Sequence, residues 1–124
     1  MIEKGLSATS SVVVAKENTA IFLGSGGLEV FATPAMIALM ESAAAKAIAP
    51  FLGEGESSVG TEVNITHIKA SAVGAEIVAS AVVTEVNGRE ITFNVGARDG
   101  ESLIGEGVHK RFVINSERFM AKLK

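Results

Sequence analysis

The 124-residue sequence predicts an α+β fold: one long helix packed on one face of a mostly antiparallel, five-stranded sheet. Three observations carry this. Residues 32–48, "ATPAMIALMESAAAKAI", form a single helical pattern of alanine and aliphatic residues. After it the period changes to two, the repeat of a strand. Asn87-Gly88 and Asp99-Gly100 then join neighbouring segments as tight hairpins.

Taken in order, residues 6–15, "LSATSSVVVA", are rich in Ser, Thr and Val and suit a first strand. Residues 16–29 contain Gly-Ser-Gly-Gly and read as a loop. Thr33 is placed to N-cap the helix, and Pro34 fits its first position, where a missing N–H costs nothing. At 100° per residue, Met36, Ile37, Met40, Ile48 and Phe51 define the apolar stripe, and the helix is expected to end near Pro50. The small Ala43, Ala44, Ala45 and Ala47 let the sheet approach closely. In residues 59–69, Val59, Val63, Ile65 and His67 share one strand face. Residues 74–86 and 89–98 form a hairpin, a last strand covers about 103–115, and "SERFMAKLK" adds a short terminal helix.

The length is that of one domain, taken as residues 1–124. A net charge of −3, no basic stripe and aromatics limited to phenylalanine argue against nucleic acid as a partner. There is no cysteine, which excludes disulfides, thiolate metal sites and thiol nucleophiles. A reducing cytoplasm is the expected location, since "MIEKGLSATS" lacks the apolar core of a secretory signal. The longest apolar zone, residues 28–52, is broken by Pro34, Glu41, Lys46 and Pro50, so no membrane span is expected.

Glu41 is the exception within the helix. Its neighbours three and four residues away are Ile37, Ala38, Ala44 and Ala45, so no partner on the same helix pairs with it. It is either a boundary carboxylate reaching solvent or a distant arginine, or a partly desolvated base or nucleophile. Helical geometry alone leaves both open. His67 is expected on the strand face that meets the helix, which places a second polar group at that interface and favours a site. Thr33 brings a hydroxyl beside the free N–H groups of the helix start, a place suited to a developing oxyanion. His109 and Arg111 alternate on the last strand. Arg111 could bind an anionic part of a substrate, although a surface or interface pair is the plainer reading. The Gly-Ser-Gly-Gly cluster lacks both the lysine of a phosphate loop and the spacing of a dinucleotide fingerprint.

From about residue 29 onward the chain resembles the hot-dog-fold thioesterases, in particular the group similar to fluoroacetyl-CoA thioesterase. The "AT…LME" helix, the "GTEVNITHIKAS" strand, "ARDG", "IGEGVHKRFVI" and "ERFMAKLK" carry the resemblance. It implies a hot-dog fold, hydrolysis of a small acyl-CoA without cofactor or metal, and a catalytic set of Thr33, Glu41 and His67. It also implies that Gly60 lies close to the reacting thioester. Glu41 would activate water or attack the carbonyl, and His67 would exchange protons and stabilise charge. Dimers with shared active sites are implied as well. The alternatives are a non-catalytic hot-dog dimer that binds acyl-CoA or serves structurally, and a dehydratase or hydratase of acyl thioesters. One departure is visible: the aromatic lid that precedes the helix in the fluoroacetyl-specific enzyme is here "AIFLGSGGLEVF", Gly-rich, with only Phe22 and Phe31 aromatic.

Overall fold

The computed structural model describes residues 1–124. The strands are β1 (Ser7–Val13), β2 (Glu56–His67), β3 (Glu76–Asn87), β4 (Glu90–Asp99) and β5 (Ser102–Asn115). The helices are a single turn α1 (Ala20–Leu23), the long α2 (Thr33–Ile48) and a terminal α3 (Ser116–Ala121). All pairings are antiparallel, in the order β1-β3-β4-β5-β2. The hairpins turn at Gly88 and Gly100, whose φ values of +63° and +61° suit glycine. The expected loop at residues 16–29 instead contains a 3-10 turn, Lys16–Asn18, followed by α1.

The helix lies in the curl of the sheet because small residues face small residues. Ala43, Ala44 and Ala47 are buried against a sheet interior that includes Ala79, Ala81 and Ala97. Met36, Met40 and Ile48 complete the buried stripe. Ile37 is only half-buried, and Phe51, 42% exposed, falls in a 3-10 turn beyond the helix. Both differ from the expected stripe: Ile37 lies at the margin of the buried face, and Phe51 lies past Ile48, where α2 ends and the 100° projection no longer applies. At Gly105 a Cβ would come within 2.6 Å of the Met36 sulfur, so this glycine lets the helix start rest on β5.

Two further expectations change. Ala32, extended at φ −76° and ψ 141°, is the N-cap; Thr33 and Pro34 are the first two helical residues. The Thr33 hydroxyl is bonded to another element and leaves the helix end uncapped by any side chain. In β2, a bulge between Gly60 and Glu62 shifts the register. Val63, Ile65 and His67 therefore pair with the inward-facing His109, Gly107 and Gly105, whereas Val59 pairs with Phe112 on the outer face. The extra residue reverses alternation, placing Ser58 and Gly60, rather than Val59, on the helix side.

Candidate active site

Two polar clusters lie along α2, one at its start and one at its middle. At the start, Thr33 Oγ1 is 2.7 Å from His67 Nδ1. A hydroxyl can donate or accept, so it can hold the ring in either neutral tautomer. His67 Nε2 is buried and has no protein partner. Burial pushes the imidazole below its ordinary value, with a backbone contact at Lys69 acting in the opposite sense. The ring is thus neutral near pH 7 and able to take a proton. A cleft of about 280 Å³ opens beside the pair, lined in part by Ala20, Val30, Phe31 and Lys69.

The second cluster surrounds Glu41. Its Oε2 lies 3.6 Å from Arg111 Nη1 and 3.9 Å from His109 Nε2. The carboxylate is 38% exposed, whereas the Arg111 and His109 side chains are almost fully buried. Burial lowers the Arg111 value and Glu41 counters it; an arginine still keeps its charge. Ser58 holds the guanidinium twice, accepting from Nε through Oγ and from Nη2 through its carbonyl, both at 2.9 Å. Gly60 lies against this carboxylate: a Cβ there would overlap Glu41 Oε2 and approach His109 Cε1 to 3.1 Å.

The structure therefore joins Thr33 to His67, and Glu41 to Gly60 and Arg111. It does not bring Glu41 to His67 within one chain: Glu41 is eight helical steps beyond Thr33, about 12 Å along the axis. Arg111 and His109 are not the surface or interface pair expected from their alternation. They point inward from β5, on the face that also buries Val113. Ser58 was not legible as a site residue, because only the bulge turns it toward the helix. For His109, the available signal was its shared parity with Arg111 opposite Gly60.

A family model described as fluoroacetyl-CoA-specific thioesterase matches residues 14–117. The fluoroacetyl-CoA thioesterase of Streptantibioticus cattleyicolor is 44% identical over 96 residues, which is 77% of this chain and 69% of the relative. A solved fluoroacetyl-CoA thioesterase superposes with a TM-score of 0.92 at 37% identity, covering 99% of this chain and 96% of its own. A hot-dog-like protein from Thermanaerovibrio acidaminovorans, 21% identical, gives a TM-score of 0.88 over 97% of this chain and 89% of its own, a likeness of fold. The hot-dog architecture expected from the sequence is thereby shown, and the match is to enzymes rather than to a non-catalytic binding module. This chain belongs to the fluoroacetyl-CoA-specific thioesterase family, and it is a thioester hydrolase.

Proposed function

We propose that the protein hydrolyses a small acyl-CoA to the free acid and CoA, using Thr33, Glu41 and His67. Glu41 delivers the nucleophile, by taking a proton from water or by attacking the carbonyl itself. His67, neutral at rest, accepts the proton released from water and passes it to the departing thiolate as the C–S bond breaks. Thr33 orients the His67 ring, and its 2.7 Å bond is the observation that carries this reading. Gly60 keeps the space at the Glu41 carboxylate open, so the acyl carbonyl can approach it. Arg111 stabilises negative charge beside that carbonyl.

The two clusters act together in a homodimer. β2 is a sheet edge, with Val63 39% exposed at its centre. An unpaired edge is a template for another strand. Antiparallel self-pairing centred near Val63 and Asn64 sets Gly60 of one copy level with His67 of the other. The Thr33–His67 pair of each copy then serves the Glu41 cluster of its neighbour.

The substrate is a short acyl group. The segment before α2 does not close a rigid aromatic lid: Phe22 is 54% exposed, Gly24 carries φ +77°, and Phe31 is buried beside Thr33 and His67. Steady-state hydrolysis of acetyl-, fluoroacetyl-, propionyl- and butyryl-CoA tests the whole reading. Wild-type kcat/KM in both Glu41→Gln and His67→Ala would overturn the catalytic set. A monomer at micromolar concentration by light scattering would overturn the shared site.

A further inference from the structure

His109 has no part in the reaction just described, yet it is 1% exposed and contacts two of its groups. Its Nδ1 lies 2.8 Å from the Glu62 carbonyl oxygen, which can only accept, so Nδ1 carries the hydrogen. Its Nε2 lies 3.2 Å from Arg111 Nη1, which can only donate, so Nε2 is bare. The ring plane is set by Phe93, stacked at 6.0 Å between centroids. With Ser58 holding Nε and Nη2, His109 supplies the third anchor of the guanidinium. The other Nη1 hydrogen is left for Glu41 and the space above Gly60.

We propose that His109 is a positioning residue: a neutral Nδ1–H imidazole whose bare Nε2 fixes Arg111 in the direction of Glu41 and the acyl carbonyl. The reading rests on the function proposed above for Arg111, while the tautomer and the Arg111 contact stand without it. Four groups face the ring: Glu41 from α2, Arg111 from β5, the Glu62 carbonyl from β2 and Phe93 from β4. Burial and the Arg111 charge oppose protonation, whereas the Glu62 carbonyl and Glu41 favour it; the balance lies below the ordinary histidine value. A cationic ring would turn an N–H toward a guanidinium that also only donates, and the anchor would be lost.

The experiment compares His109→Met, which keeps length without a strong acceptor, with His109→Gln, which keeps an acceptor. Long-range ¹H–¹⁵N spectra of histidine-labelled wild type are expected to show His109 protonated at Nδ1 and bare at Nε2 at pH 7. The Arg111 Nη1–H signal is expected to be protected from exchange in wild type and His109→Gln and lost in His109→Met, while Nε–H, held by Ser58, persists in all three. With the best short acyl-CoA, His109→Met is expected to lower kcat/KM on the order of 10- to 100-fold, mostly in kcat. His109→Gln is expected to recover activity to within about fivefold of wild type, the worth of about one hydrogen bond. In an Arg111→Gln background, His109→Met is expected to cost less than about twofold more, because the two act as a unit. An Nε2–H or doubly protonated ring at pH 7 overturns the proposal, as do equal losses in the Met and Gln variants. If wild type hydrolyses no acyl-CoA, the functional reading fails and the spectra still decide the tautomer and the anchor. If His109→Met does not fold, the wild-type spectra and His109→Gln decide it.

Discussion

Thr33 Oγ1 lies 2.7 Å from His67 Nδ1, and this contact joins the first helical residue of α2 to the last residue of β2. A residue suited to capping does not cap here: Thr33 follows the N-cap Ala32, and its hydroxyl is turned to the ring of His67 on another element. Thr33→Ala is therefore expected to change stability by under about 1 kcal/mol, less than a lost cap. Its activity is expected to fall, with Thr33→Ser restoring most of it. Thermal unfolding and steady-state kinetics of both variants check this. A large stability loss without loss of activity would return Thr33 to a capping role.

Glu41→Gln keeps the size and much of the hydrogen bonding of the native side chain while removing its charge. On the proposed mechanism, kcat/KM is expected to fall roughly 10²- to 10⁴-fold. The fold is expected to persist, since the native carboxylate is 38% exposed and its nearest cation is 3.6 Å away. Circular dichroism and acyl-CoA hydrolysis, measured on the same preparation, separate the two effects.

Gly60→Ala places a methyl group where the Glu41 carboxylate stands. The side chain of Glu41 is half-exposed and free to swing away, so the protein is expected to fold. Its displacement is expected to lower kcat on the order of 100-fold, the cost of about 1 Å of misplacement at a reacting group. A crystal structure of the variant with Glu41 unmoved and activity intact would contradict this.

His67 and His109 both have folded-state values below the ordinary 6.5, in each case mainly through burial. Unfolding therefore takes up protons as pH falls through that ordinary value. The stability that depends on keeping these rings neutral is fully present above about pH 6.5 and declines below it, toward the lowered folded-state values. Urea midpoints between pH 5 and pH 8 are expected to fall on the acid side, and a His67→Gln/His109→Gln variant is expected to show a shallower fall. An equal slope in wild type and variant would refute the assignment to these rings.

Met36→Ala removes a fully buried side chain held over Gly105. A loss of about 2–5 kcal/mol is expected, measured by denaturant unfolding. Because Met36 lies on the turn that follows Thr33, its loss is also expected to loosen the Thr33–His67 contact and lower activity.

The helix was legible because its alanine-rich run is long and ends in Pro50, and the β3–β4 and β4–β5 hairpins because Asn-Gly and Asp-Gly leave few alternatives. The inner faces of β3 and β4 followed from strict alternation, as Ile77, Ala79 and Ala81 and then Ile91, Phe93 and Val95 are all buried. β2 was misread at Val59 because a bulge inserts a residue without any change in composition. His109 and Arg111 were misread because polar side chains on a strand look solvated until a buried carbonyl or carboxylate is found to meet them.

By itself the sequence determined the fold class, the single helix, the turns, and which residue types could do chemistry, since these depend on local propensity and short-range periodicity. Its motifs also carried the family resemblance. Only the tertiary structure decided that Thr33 pairs with His67, that Glu41 stands apart from them beside Arg111 and Gly60, and that His109 is buried. Those relations depend on the register of β2 against β5 and on the close seating of α2. Both arise from contacts between residues far apart in the chain, which no local pattern encodes.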